Sequence, residues 1–172
     1  MTTTLPAHNL SERDVRLLVH IAAESQTRTI AGDPALGLER AEIDTAVGAL
    51  LKATGSRTML QLVAWGAAHG LVTDTAEPCA ALAAPRLPPR LRQILTGWVG
   101  GRSTPELTAD FGISPATMRG YIKDLNTRLG VHSQMQASIA GVLSGQVLLS
   151  SIDPSWPAEP FHRTAGSRGR AA

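Results

Sequence analysis

The stretch that decides the fold is Ser103-Thr-Pro-Glu-Leu-Thr-Ala-Asp-Phe-Gly-Ile-Ser-Pro-Ala-Thr-Met118. Ser103 and Glu106 have the spacing of a capping box, which predicts a short helix that begins after Ser103. Gly112 permits a tight turn, and Ser114-Pro115 supplies an N-cap followed by proline at the first helical position, so a second helix is predicted there. Two helices joined in this way are typical of a helix-turn-helix, in which the second helix enters the major groove of DNA.

The outward face of the predicted second helix carries basic residues and residues with small side chains. At 100° per residue, Arg119 and Lys123 lie within about 40° of each other. Ala116 and Gly120 share that side, and the opposite side carries the apolar residues Met118, Ile122, Leu125 and Leu129. Two cations can reach phosphates or guanine edges, and small residues allow close approach to the groove. This face therefore favours DNA binding, the alternative being the solvated side of an amphipathic helix.

Composition and charge agree with a folded chain that has one basic half. The 172 residues are 43% hydrophobic and 17% charged, which is typical of one domain or two small ones. The net charge of +2 conceals an asymmetry. Residues 1–77 carry six basic and nine acidic side chains, whereas residues 78–172 carry ten and five. This asymmetry favours nucleic-acid binding by the second half.

Other functional classes find little support in the sequence. A single cysteine, Cys79, excludes an intrachain disulfide and a cysteine-rich zinc site. The five histidines have no paired ligand spacing, and no nucleophile-base pair or phosphate loop can be assembled, so we expect neither a metal, a cofactor nor an enzyme. The start lacks a signal peptide, and polar residues interrupt the most apolar stretch, so we expect a cytoplasmic protein without a membrane span.

Proline, glycine and apolar periodicity divide the chain into two helical blocks. Four prolines within Asp74–Pro89 predict a linker over residues 74–86, and the Pro, Ser, Gly and Arg content predicts a flexible tail over residues 151–172. Residues 1–73 and 87–150 remain, and in both the apolar residues recur at helical spacing. The sequence therefore predicts an all-α fold.

The two blocks align with each other. An offset of 77 pairs Leu17 and Leu18 with Ile94 and Leu95. After two extra residues near Gly32-Asp33-Pro34 the offset becomes 75, and it then pairs glycines at the predicted helix ends: Gly37 with Gly112, Gly55 with Gly130, and Gly70 with Gly145. A repeated pattern of stops and apolar positions predicts two tandem four-helix units.

The second block resembles the LuxR/NarL/GerE-type DNA-binding domain over residues 87–150. The resemblance rests on Leu87-Pro-Pro-Arg90, Gly101-Arg-Ser-Thr-Pro-Glu-Leu107, Phe111-Gly-Ile-Ser-Pro-Ala-Thr-Met-Arg119 and Leu129-Gly-Val-His-Ser-Gln-Met-Gln-Ala137. The sequence departs from the family at Leu91, where Glu is usual, and at Tyr121, where His is common.

This resemblance implies roles for individual residues. The third helix would be the recognition helix, with Arg119, Gly120 and Lys123 facing the groove. Thr117 and Ser133 would contact phosphate. The fourth helix commonly forms a homodimer contact in the family, which would place Met135 and Ile139 on a dimer face.

The first block resembles the same family more distantly, in Leu10-Ser-Glu-Arg13, Gly55-Ser-Arg-Thr-Met-Leu-Gln-Leu62 and Trp65-Gly-Ala-Ala-His-Gly70. Its third helix is predicted over about residues 39–54. The outward positions there are Asp44, Thr45 and Gly48, with Glu39 and Glu42 adding negative charge, and such a face repels phosphates.

We therefore expect the first unit to keep the fold without contacting DNA. Glu42 and Asp44 would belong to a face for a protein partner or a second chain. Packing on the second unit and simple scaffolding are the remaining alternatives.

Together these patterns predict a bacterial LuxR-type transcriptional regulator that binds double-stranded DNA as a homodimer. Such a dimer requires an inverted-repeat operator with half-sites about one helical turn apart. The protein would be cytoplasmic, and associated with the nucleoid when bound to DNA. The alternative is a protein-protein interaction module, an adaptor or anti-activator that uses helix-turn-helix folds without binding DNA.

Overall fold

A computed structural model describes residues 10–72 and 86–160, and helices are the only regular elements in these two ranges. The first range contains α1 (Glu12–Ala22), α2 (Thr27–Ala31), a 3-10 turn (Arg40–Glu42), α3 (Ile43–Thr54) and α4 (Met59–Ala68). The second contains α5 (Pro89–Val99), α6 (Thr104–Asp110), α7 (Pro115–Leu129), α8 (Gln134–Leu143) and a 3-10 turn (Leu149–Ser151). The predicted all-α fold with two tandem four-helix units is confirmed. The predicted linker, apart from Arg86, lies outside the described residues, as does Cys79.

The turns of the two units have the same backbone geometry. Each unit has four positions with left-handed φ, and they pair at the predicted offsets: Gly37 (55°) with Gly112 (61°), Gly55 (69°) with Gly130 (66°), Gly70 (72°) with Gly145 (70°), and Glu24 (52°) with Gly101 (85°). Glu24 is the one non-glycine among the described residues with such a φ. L-residues with a Cβ adopt this region at a cost, so the shared turns support one repeated unit.

Within each unit the fourth helix packs closely on the first because a glycine removes a side chain between them. A Cβ added to Gly66 of α4 would lie 2.8 Å from Leu18 of α1. A Cβ added to Gly141 of α8 would likewise lie 2.8 Å from Leu95 of α5. The two glycines and the two leucines occupy equivalent positions, so the repeat extends to side-chain packing.

The two units share one hydrophobic core, with α4 and α8 at its centre. These equivalent helices make the most extensive contact between any two elements described. Both are buried over most of their length, across Leu62–Ala68 of α4 and Ala137–Val142 of α8. Burying a Leu, Ile or Val side chain stabilises a fold by about 1.5–3 kcal/mol, so separating the units would be costly.

Contacts between a turn of one unit and the fourth helix of the other join the units in reciprocal positions. The Ser133 hydroxyl, which caps α8, donates to Glu24 in the turn after α1 (2.8 Å). In the equivalent place, Gly101 in the turn after α5 lies so close to Gln61 of α4 that a Cβ would overlap its amide. Such reciprocity indicates an approximate two-fold relation. The two-fold relation is only approximate. The contact between α4 and α5 is more extensive than the equivalent contact between α8 and α1.

The segment after α8 is packed where the sequence predicted a flexible tail. Trp156 is 8% exposed, and its ring lies 6.4 Å from that of His69, at the end of α4, in an edge-on arrangement. His69 stacks on Trp65 with 4.4 Å between the ring centroids, and burial lowers the pKa of this histidine. The buried indole of Trp156 therefore anchors residues 151–160 on the first unit. Residues 161–172 lie outside the described residues.

The two extra residues of the first unit form a polar anchor. Asp33 accepts hydrogen bonds from the Arg16 guanidinium, from His20 Nε2 (2.8 Å) and from the amide of Ala35 (3.0 Å). The bond from Arg16, and next that from His20, hold the pKa of the Asp33 carboxyl well below its usual range. A carboxylate with a lowered pKa stabilises the fold above its unfolded pKa, and this stability is lost as the pH falls through its folded pKa.

We expect Asp33→Asn to lower the free energy of unfolding at neutral pH because the ionised acceptor is lost. The difference from wild type should shrink as the pH falls below about 4, where an unfolded aspartate takes up a proton. Urea unfolding across a pH series measures both effects. Glu159→Gln is the control, since Glu159 is exposed and lies outside any helix, and its difference from wild type should change little over the same series. A constant deficit for Asp33→Asn at every pH would contradict the assignment.

Candidate nucleic-acid interface

The helix-turn-helix is capped as the sequence predicts. The Ser103 hydroxyl accepts from the amide of Glu106 (3.3 Å), and the Glu106 carboxylate accepts from the amide of Ser103 (2.7 Å), which lowers the pKa of Glu106. Ser114 accepts from the amide of Thr117 (3.1 Å) to begin α7, and Gly130 ends α7 in the left-handed region. These caps fix where α7 begins and therefore which of its residues face outward.

A chain of hydrogen bonds braces this pair of helices. The indole Nε1 of Trp98, a fully buried residue of α5, donates to the Thr104 hydroxyl at the start of α6 (3.1 Å). That hydroxyl donates to the Gln134 side chain at the start of α8 (3.2 Å). On the inner side of α7, Met118, Leu125 and Leu129 are buried. The opposite side of α7 is consequently held in a fixed direction.

The outward side of α7 carries the four residues that the sequence singled out there. Thr117, Arg119, Gly120 and Lys123 are all exposed. Neither Arg119 nor Lys123 has an ion pair within residues 10–72 and 86–160, whereas Arg128, further along α7, pairs with Asp124 (2.8 Å). Two cations therefore remain available to an anionic ligand.

Gly120 has no packing role among residues 10–72 and 86–160. A Cβ built at this position meets no atom of those residues within 4 Å. A glycine inside a helix destabilises it by about 0.5–1 kcal/mol relative to alanine. Close approach to a ligand is a physical reason for glycine here, because a bare backbone lets the helix sit deeper in a groove.

The basic face continues into the turn before α8. A groove of about 400 Å³ between α7 and this turn is lined by Arg119, Ile122, Lys123, Asn126, Thr127, Val131, His132 and Gln134. Ser133 directly follows His132, so the start of α8 borders the same surface.

Ser133 is placed differently from its predicted role as a phosphate contact. Its hydroxyl accepts from the amide of Gln136 (3.1 Å) as the cap of α8 and donates to the Glu24 carboxylate of the first unit. The sequence did not single out Glu24, which is 109 residues away, and its aligned partner is a glycine. A negative charge from the first unit therefore lies at the edge of the basic face.

We expect Glu24→Gln to strengthen DNA binding modestly, because the amide can still accept from Ser133 but no longer repels phosphate. Surface charge interactions of about 0.2–1 kcal/mol correspond to a gain of up to about fivefold. Fluorescence anisotropy with labelled duplex in a salt series measures the gain, which should fade at high salt. Glu12→Gln, the same change on exposed Glu12 of α1, controls for net charge. An equal gain for both variants would show that the position of Glu24 is immaterial.

The third helix of the first unit presents an acidic end in the equivalent place. The predicted helix from Glu39 is instead a 3-10 turn over Arg40–Glu42 followed by α3, and the amide of Glu39 donates to the Glu42 carboxylate (2.9 Å). Asp44 lies in the first turn of α3 and is exposed. Carboxylates stabilise a helix N-terminus through its dipole, which gives them a structural role. The first turn of α7 has no acidic residue, so its N-terminus stays open to phosphate.

The predicted dimer face lies on α8, and α4 of the same chain packs on this helix. Ile139 is 1% exposed on α8, the helix that packs on α4, so it offers no surface to a second copy. Met135 is half-buried against the shared core. Of the alternatives for the first unit, packing on the second unit is the one that the structure displays. The sequence could not distinguish them, since an apolar helix face looks the same whether its partner is in the same chain or another.

Two further kinds of feature are absent from the described part of the chain: a membrane-spanning helix and a group of side chains that could bind a metal ion. Among residues 10–72 and 86–160, no helix is both long enough and apolar enough to span a membrane. No group of three His, Cys, Asp or Glu side chains in those ranges could hold a metal ion.

Comparison with known proteins identifies the second unit. Residues 85–140 match the family of bacterial regulatory proteins described as the luxR family. The match includes α5, α6, α7 and most of α8, and it does not extend to the first unit. No curated protein and no solved structure matches the chain.

Proposed function

Because residues 85–140 form a LuxR-family helix-turn-helix domain, we propose that the chain is a transcriptional regulator that binds double-stranded DNA through α7. The observation that carries the proposal is that Arg119 and Lys123, which flank Gly120 in the sequence, are exposed and have no ion pair within residues 10–72 and 86–160. They lie on a helix whose direction is fixed by its caps and by the hydrogen bonds that brace it.

In this function α7 lies in the major groove with its N-terminal half toward the bases. The guanidinium of Arg119 can donate two hydrogen bonds to guanine O6 and N7 or grip a phosphate, and Lys123 supplies a point charge for the backbone. Gly120 permits close approach between them. The open N-terminus of α7 and the Thr117 hydroxyl are suited to the adjacent phosphate.

The first unit contributes to this function through packing. It packs on α8, and it carries Asp44 at the position of Arg119 and Gly48 at the position of Lys123. It therefore supports the DNA-binding unit without adding a second basic surface.

Selection from a random duplex library with the purified full chain tests the proposal. A specific regulator should enrich one motif and bind it about a thousandfold or more tighter than unrelated duplex at physiological salt. The rival function is an adaptor that binds only protein, which the exposed acidic face of α3 favours. Absence of any enriched motif, with binding no tighter than that of an unrelated sequence, would support the rival.

We expect Gly120→Ala to separate stability from DNA affinity. The alanine should stabilise α7 by about 0.5–1 kcal/mol and weaken binding to the selected duplex by about tenfold or more, since its methyl group stands between helix and groove. Gly48→Ala is the matched control, because Gly48 of α3 is also an open glycine inside a helix. It should stabilise the chain similarly and leave affinity unchanged. Unimpaired binding by Gly120→Ala would exclude close approach at this position.

A further inference from the structure

We propose that this chain binds DNA as a single copy and recognises one half-site, with the first unit occupying the place of a second subunit. The inference rests on the proposed function, since it concerns how the same α7 meets DNA. It replaces the homodimer that the sequence predicted.

The first argument is that, in the part of the chain that the structure describes, α8 has no free face over Ala137–Val142. Its own unit covers one side through α5 and α7, and α4 covers the other. Its residues Ala137–Val142 are buried without exception, and so are Leu62–Ala68 of α4. A second chain could use α8 only by displacing the first unit, which exposes α4 to water unless the two chains exchange their first units.

The second argument is that the units are arranged as two copies of one protein would be. Equivalent helices, α4 and α8, pack on each other. The turn after α1 touches the start of α8 at Ser133, and the turn after α5 touches α4 at Gln61. This approximate two-fold relation assigns α3 to the position of a second recognition helix.

The third argument is electrostatic. The end of α3 that corresponds to the DNA-facing end of α7 carries Glu39, Glu42 and Asp44, all exposed. Duplex long enough to pass both helices would meet cations at α7 and carboxylates at α3, and like charges repel. The two units therefore present one helix that can recognise a half-site, α7, and one acidic surface, at α3, that repels DNA.

Covalent connection reinforces the arrangement. Residues 73–85 join the two units, and a short tether gives an effective concentration in the millimolar range. A separate chain present at nanomolar to micromolar concentration competes poorly against a partner that is already attached.

The test is the symmetry of the selected motif together with the mass of the complex. The full chain is used to select from a random duplex library, and its complex with the enriched duplex is weighed by sedimentation or light scattering. We expect a motif without inverted-repeat symmetry and a complex of one chain per duplex. Doubling the motif as an inverted repeat, spaced by one helical turn, should give two independent binding events without cooperativity.

The outcomes separate this inference from the proposed function. A motif that contains two half-sites, bound by two chains together, would overturn single-copy binding and leave DNA recognition intact. Two chains would also bind together if they exchanged their first units, so that α4 of one chain packed on α8 of the other. The mass of that complex would likewise show two chains per duplex, and it would count against single-copy binding in the same way. Failure to enrich any motif would overturn the proposed function and this inference with it.

Discussion

The double variant Arg119→Ala, Lys123→Ala is expected to lose most of its affinity for DNA. Removing an Arg that contacts a base costs about 1–3 kcal/mol, and removing a Lys that contacts phosphate lowers the salt dependence of binding by about one unit of slope. Together they should weaken binding to the selected duplex by about 10- to 1,000-fold. The fold should survive, because both side chains are exposed and have no ion pair within the described residues.

The matched control for this variant removes the same two charges from the first unit. Arg13 of α1 and Lys52 of α3 are exposed, so Arg13→Ala, Lys52→Ala changes the net charge equally at sites away from α7. This control should change affinity by no more than about twofold, through the long-range field alone. Anisotropy titrations at several salt concentrations compare the two. Equal binding by the Arg119, Lys123 variant and wild type across the series would refute the assigned interface.

Ile139→Ala is expected to destabilise the whole chain. Ile139 is 1% exposed on α8, the helix that packs on the first unit, and truncating a buried Ile to Ala costs about 2–5 kcal/mol. Because the units share one core, we expect a single unfolding transition that moves to lower denaturant as a whole. Chemical unfolding followed by far-UV circular dichroism and by the summed fluorescence of Trp65, Trp98 and Trp156 measures this, since the two probes give coincident transitions only when the chain unfolds as one unit.

Leu148→Ala provides the comparison for Ile139→Ala. Leu148 is 67% exposed, and truncation of such a surface residue should change stability by less than about 0.5 kcal/mol. A small effect of Ile139→Ala, or transitions that differ between circular dichroism and fluorescence, would mean that the units are not packed through α4 and α8 in solution. That result would also remove the main support for single-copy DNA binding.

The secondary structure was predictable because its signals are local. The capping box at Ser103, the Ser114-Pro115 start and the glycine stops determine where α6 and α7 begin and end, and each acts over a few residues. The start of α3 was less accurately predicted. Glu39 and Glu42 cap one another and give a 3-10 turn first, a choice that helical periodicity does not reveal.

The candidate site was predictable in one part and not in another. Arg119, Gly120 and Lys123 lie on one helix, so their common face follows from the helical repeat alone. Ser133 and Glu24 meet only through folding, across 109 residues, and no local pattern marks that contact. Trp156 is similar: in sequence it stands in a stretch rich in proline and serine, and its burial beside His69 depends on a site that the first unit provides.

By itself, the sequence determined two helical units of one design, a helix-turn-helix in the second, and opposite charge on the two third helices. Each of these depends on caps, turns and periodicities within about one unit's length. Only the tertiary structure decided what the fourth helices do, because an apolar stripe specifies burial without specifying the partner. The resemblance predicted that α8 would join two chains in a homodimer. In the structure α4 of the same chain packs on α8, and we therefore expect one copy on DNA where the sequence predicted two.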